Sequence, residues 1–203
     1  LLSKRELLND IGIKDNSLLG IVTYHPETLL EKEMIKSSFL EILKALSNAY
    51  KTKNIKFVIT YPNSDSGSDF LIKGFKKFVA EHEGCILVKS LGRTRYLSAL
   101  ASFDFMLGNS SSGLFEGPSF SIPAINIGNR QAGRMRGENV IDVKADSEEI
   151  NNAINYIIKT NNRKEMINPY GEGDSSKKIV SFIENIFSNN SRTKILVKKF
   201  NDI

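Results

Sequence analysis

Short apolar runs rich in Val and Ile alternate along this chain with longer segments whose apolar residues recur every three or four positions. Buried strands separated by amphipathic helices fit a parallel sheet covered on both faces, so this alternation constrains the fold more than any other feature. The runs predict strands over 18–24, 55–60, 85–89, 104–108, 122–127 and 139–143, enough for one doubly wound α/β sheet. Between them, "EKEMIKSSFLEILKALSNAY" puts Met34, Ile35, Phe39, Ile42, Leu43 and Leu46 on one helical face. Further helices are expected over 68–82, 93–102, 146–160 and 174–187. The third of these opens on Asp146 or Ser147 followed by Glu148 and Glu149, negative charge where the helix dipole favours it.

The 203 residues suffice for one ample core. The 28 basic and 23 acidic residues are scattered, apart from a basic cluster in "RTKILVKKF". Scattered charge suits a solvated surface with a modest attraction for small anions, and it argues against a nucleic-acid partner. Cys85 is the only cysteine, so no internal disulfide can form; its apolar run "CILVKS" predicts a buried, unreactive thiol in a reducing compartment. No apolar run reaches roughly 18 residues, so no membrane span and a cytoplasmic location are expected. The opening "LLSKRELLNDIGI" reads as a helix continuing from an earlier segment, as in a piece of a longer protein.

Ligands of open α/β sheets bind beyond the carboxyl ends of the strands. The unusual residues of this chain fall in the loops expected there: "TYHPET", "YPNSDSGS", "SLGRTR", "GNSSSG" and "IGNRQAGRMRGEN". In "GNSSSG", Ser110, Ser111 and Ser112 stand where the first N–H groups of a helix lack intrahelical partners, a setting for phosphate or simply for a helix cap. Gly117 and Pro118 should stop that helix within two turns. Glu116, near its end, could accept two ribose hydroxyls or stay a solvated carboxylate. Arg130, Arg134 and Arg136 share a glycine-rich loop, and an arginine fork matches phosphate oxygens. His25 could transfer a proton, donate to a phosphate or merely fill a loop. His82, in the polar "AEHEG", reads as a surface residue, and the "NSDSGS" segment reads as turn chemistry. No phosphate-binding P-loop, strand-linked G-x-G-x-x-G, Cys/His metal spacing or G-x-S-x-G elbow is present, so neither a metal nor another cofactor is expected.

Taken together, "VTYHPETL", "YPNSDSGS", "GNSSSG...E.PSF..P.INIG.RQ.GR.RGENVI" and "NPYGEGDSSKKI" resemble the UDP-N-acetylglucosamine 2-epimerase family, in order and over nearly the whole chain. The resemblance implies a Rossmann-like domain, the carboxy-terminal half of a two-domain enzyme of the glycosyltransferase-B type. On that reading residues 1–15 form an interdomain helix, 16–188 the UDP-binding domain, and 189–203 a basic tail packing on the other half. The arginine loop looks like that of the hydrolysing branch, which makes N-acetylmannosamine or a related sugar for sialic acid-type pathways. Both branches are thought to begin by eliminating UDP after a base removes the proton at C2.

By the resemblance, His25 assists departure of UDP, and Ser110, Ser111 and Ser112 bind its phosphates. Glu116 holds the ribose, Arg130 and Arg134 contact phosphate or sugar, Asn63 lines the site, and Gly92 and Arg93 meet the uracil. The acid and base belong mainly to the amino-terminal half, so this chain alone should bind UDP weakly and turn over nothing. The full-length protein is expected to be a homodimer. Asn129 and Ala132 stand where relatives often carry Asp and Lys, and Gly117 where they often carry Ala, which bears on the sugar used. Two rival readings share the fold: the donor-binding domain of a UDP-sugar glycosyltransferase, and a non-catalytic sugar-nucleotide-binding module.

Overall fold

The structure, a computed structural model, describes residues 1–14, 17–160, 163 and 165–189. It divides into two compact units, Leu1–Pro169 and Tyr170–Ile203. In the first unit six strands form one sheet: β1 Leu18–Thr23, β2 Ile55–Thr60, β3 Ile86–Val88, β4 Phe105–Gly108, β5 Ala124–Ile127 and β6 Val140–Val143. Their order is β3-β2-β1-β4-β5-β6 and every pairing is parallel. All six lie where the apolar runs predict them.

Side chains alternate between the two faces, as the pleat requires. Phe57, Ile59, Phe105, Leu107, Ile125 and Ile127 join one cluster with α2 (Lys32–Lys53), α3 (Ser68–Glu81) and α6 (Ser147–Thr160). Leu19, Ile21, Val58, Met106 and Ala124 point the other way, toward α1 (Lys4–Asp10) and α4 (Gly92–Ser102). Burial on both faces explains why the strands read as near-continuous apolar runs. Helix α1 occupies seven residues of the segment expected to be helical, opened by a Ser3–Glu6 capping box, and it packs Leu7 and Leu8 into the second cluster. Asp146 caps α6, its Oδ1 accepting the N–H groups of Glu148 and Glu149 at 2.9 Å each. In the second unit α7 (Ser175–Asn189) repeats apolar residues at Ile179, Phe182, Ile183 and Phe187. The boundary expected at 15–16 and tail residues 190–203 lie outside the described residues.

Two side chains differ from the sequence expectation. Met34 lies at the edge of the buried stripe of α2, beside a surface depression rather than under the helix, and is 53% exposed while Ile35, Phe39, Ile42 and Leu46 are buried. His82 is buried, not a surface residue. It stacks on Phe78 with ring centroids 4.1 Å apart, meets Tyr50 edge-on, and its Nδ1 lies 2.7 Å from the Phe78 carbonyl oxygen. An imidazole whose polar atom bonds the preceding helical turn can present its ring as an aromatic surface, a role invisible in a polar local sequence. Cys85 is buried as expected, and burial pushes its thiol pKa upward.

Candidate functional site

The strand order reverses between β1 and β4, so their following loops diverge and leave a crevice at the carboxyl edge. Thr23 ends β1 beside Gly108, the last residue of β4. Gly108 has φ 138°, and a Cβ there would overlap the Thr23 carbonyl oxygen, so only glycine lets the two strand ends close up. Asn109 follows, fully buried. Its Oδ1 accepts the His25 N–H at 2.7 Å, and its Nδ2 donates to the His25 carbonyl at 2.9 Å, a two-point clamp on the backbone of the histidine. The Asn109 carbonyl accepts from Gln131 Nε2 at 2.7 Å and from Arg130 Nη1 at 3.3 Å. One buried amide residue therefore ties the loops after β1, β4 and β5 together.

A cavity of about 450 Å³ opens over this junction. Its floor includes Thr23 and Thr60, whose hydroxyls hydrogen-bond each other at 2.7 Å, and its walls include His25, Ser110, Ser112 and Glu116. Gly92 and Arg93, at the start of α4, line its far side. Helix α5 is a single turn, Ser112–Phe115, followed by a 3₁₀ turn at Gly117–Phe120, so the chain stops where Gly117 and Pro118 predict. The serines are not equivalent. Ser112 N–H is spent on Ser110 Oγ at 3.3 Å, and Ser112 Oγ accepts the Tyr96 hydroxyl at 2.7 Å, which leaves the serine's own hydroxyl proton able to point elsewhere. The N–H groups of Ser110 and Ser111 have no acceptor among the described residues. Burial pushes the Tyr96 phenol up to about 12, so it stays a donor at neutral pH.

The three arginines have separate fates. Arg130 reaches back to Asn109 and contributes positive charge at His25. The guanidinium of Arg134 lies 5.4 Å from the centre of the Phe115 ring. Arg136 pairs with Asp142 at 2.7 Å and donates to the carbonyls of Gln131 and Arg134. Burial works against an ionised Asp142, but hydrogen bonds from Arg136 and Asn126 and the charge of Arg136 hold its carboxyl below the usual range. A larger depression of about 920 Å³ is lined by Glu27, Leu29, Met34, Arg130, Arg136 and Asp142, among others. Glu27 lies against Gly128, where a Cβ would overlap its carboxylate, and accepts the Asn129 N–H at 3.3 Å. Burial pushes the Glu27 pKa up, against that hydrogen bond and the charge of Arg130.

Asn63 acts through its backbone. Its N–H donates to His25 Nδ1 at 3.0 Å, while its side chain bonds Asp65 in a separate depression after β2. The structure thus gathers His25, Gly92, Arg93, Ser110, Ser112 and Glu116 around one cavity and sets Arg130 beside His25. Ser111 and Arg134 border the same loops without lining that cavity. Asn109, Gln131, Tyr96 and Glu27 went unnoticed in the sequence. Buried amides in a loop offered a signal only for Asn109, whose place between Gly108 and the serines is a strand end. Among the described residues no group of His, Cys, Asp and Glu is placed to hold a metal ion, and no helix is long and apolar enough to cross a membrane.

Residues 1–184 match the family model described as UDP-N-acetylglucosamine 2-epimerase. A UDP-N,N'-diacetylbacillosamine 2-epimerase (hydrolyzing) of Legionella pneumophila is 31% identical over 185 residues, which make up 91% of this chain and 47% of the relative. The polysialic acid biosynthesis protein P7 of Escherichia coli is 37% identical over 149 residues, 72% of this chain and 37% of the relative. A crystal structure of UDP-GlcNAc 2-epimerase from Neisseria meningitidis bound to UDP-GlcNAc superposes with a TM-score of 0.69 at 21% identity, covering 90% of this chain and 49% of that one. The chain spans no more than about half the length of these relatives.

Proposed function

This chain belongs to the UDP-N-acetylglucosamine 2-epimerase family, and from that premise we propose that it is the nucleotide-binding half of a hydrolysing 2-epimerase. The full-length enzyme takes a UDP-N-acetylamino sugar, eliminates UDP across C1 and C2, and adds water to yield an N-acetylmannosamine-type sugar and free UDP. The observation that carries this reading is the 450 Å³ cavity, where donors from four strand-end loops converge on one volume. The hydroxyls of Ser110 and Ser112 and the free N–H groups of Ser110 and Ser111 bind the diphosphate, with Arg130 adding charge. Glu116 accepts the ribose hydroxyls, and Gly92 and Arg93 meet the base. The acid and base come from the other half, so this chain alone binds UDP weakly and does not turn over. The name of the Legionella relative, a hydrolyzing 2-epimerase, supports the hydrolysing outcome.

Incubating full-length protein with UDP-N-acetylglucosamine in water, and separately with the diacetamido analogue, tests the reading. Free UDP with a free 2-epimerised sugar is the expected product. An epimer still joined to UDP would assign the non-hydrolysing branch, and turnover only with an added acceptor would assign a glycosyltransferase.

A further inference from the structure

We propose that His25 works as a neutral hydrogen-bond donor, offering Nε2–H to the departing diphosphate while transferring no proton. The ligand in this statement rests on the function proposed above; the protonation state of the ring does not. The Asn63 backbone N–H lies 3.0 Å from His25 Nδ1. A peptide N–H can only donate, so Nδ1 offers its lone pair and carries no hydrogen. The single proton of a neutral imidazole then sits on Nε2. Adding a second proton would bring two N–H groups face to face across that 3.0 Å contact.

The surroundings agree with a neutral ring. Burial and the positive charge of Arg130 disfavour the imidazolium; Asp65 favours it, but the net shift of the pKa is downward. The Asn109 clamp fixes the backbone from which the ring extends, and turning the ring over would cost Nδ1 its bond from the Asn63 N–H. Nε2 has no partner among the described residues, and His25 lines the cavity with Ser110, Ser112 and Glu116.

The consequence is chemical. A nitrogen that already holds hydrogen cannot accept another, and losing it would leave an imidazolate, so His25 is neither the base at C2 nor the acid for the leaving group. When the C1–O bond breaks, its electron pair passes to the β-phosphate oxygen, and the C2 proton passes to a carboxylate of the other half. The Nε2–H bond to the diphosphate strengthens as that negative charge grows, which is stabilisation of the transition state without proton transfer. The Asn63 peptide is the positioning group, since it selects the tautomer.

Full-length protein labelled with ¹⁵N only in histidine provides the test, with His25 assigned as the signal lost in His25→Gln. Near pH 7, two-bond proton–nitrogen correlations are expected to show Nδ1 bare and Nε2 protonated, with and without UDP. An imidazolium or an Nδ1–H tautomer overturns the inference. In single-turnover release of UDP, His25→Gln supplies an amide N–H near the place of Nε2–H and is expected to keep the rate within about tenfold. His25→Ala should lose about 10²–10³-fold, the usual cost of deleting one oxyanion donor. Equal losses in the two variants, with UDP affinity intact, would remove the donor role. If the wild-type protein neither binds UDP nor releases it, the functional reading falls with the diphosphate as acceptor, whereas the ligand-free spectrum still decides the tautomer.

Discussion

The loop after β4 and the loop after β5 look alike in sequence, each a glycine-framed cluster of anion-binding side chains, yet the structure treats them oppositely. In 108–113 one buried residue, Asn109, bonds the His25 backbone and the end of β1, so the histidine and the strand ends are held together within the protein. In 128–137 the three arginines divide among a backbone carbonyl, an aromatic face and an aspartate. The first loop is preorganised; the second is a strap with one arginine turned toward it. Residue type alone did not separate these roles, because an arginine spent on Asp142 and an arginine beside His25 have the same local sequence environment.

The largest effect should come from breaking the organiser. Asn109→Ala leaves the His25 N–H and C=O without their partners and empties a buried site, so we expect a loss of about 2–4 kcal/mol in stability. Denaturant unfolding measures this, and UDP release by the surviving folded fraction should still fall at least tenfold because His25 is no longer held. An Asn109→Ala protein with full activity would mean that the clamp is ornamental.

The arginine loop offers the next contrast. Arg130→Ala should weaken UDP binding by about ten- to a hundredfold, the range for losing a hydrogen bond to a charged group. Arg136→Ala should leave UDP affinity within about twofold and lower stability by up to about 1 kcal/mol, since its ion pair is partly exposed. Calorimetric titration of both variants decides the matter: similar losses of affinity would erase the distinction between site and strap.

The smallest effect is on pH. The folded pKa of His25 lies below its ordinary value, with burial as the main cause and Arg130 second. Well above about 6.5, the unperturbed value, folded and unfolded chains both hold a neutral ring and His25 contributes nothing to the pH dependence. As pH falls below that point the unfolded chain takes up a proton before the folded one does, so stability declines until the folded pKa is passed. His25→Gln should flatten this part of the stability profile; an unchanged slope would show that other groups set it.

The six strands and most of the helices were legible because hydrophobic period is a local property, set within a dozen residues. The gathering of His25, Ser110, Ser112 and Glu116 around one cavity was legible as well, since all four follow strand ends at the carboxyl edge of an open sheet. Met34 escaped because period alone does not fix how wide the buried stripe of a helix is, and His82 because its aromatic neighbours Phe78 and Tyr50 do not colour the charged residues next to it.

Taken by itself, the chain of amino acids was enough to determine a doubly wound α/β domain, the family, and the strand-end loops that line one cavity. Only the tertiary structure decided what each polar group does there. The deciding contacts join Asn109 to His25 across 84 positions, Asn63 to His25 across 38, and Arg130 to Asn109 across 21. A bond to an imidazole nitrogen, a backbone clamp and an arginine turned toward the histidine are properties of such pairs, and nothing in the residues adjacent to either member records the other.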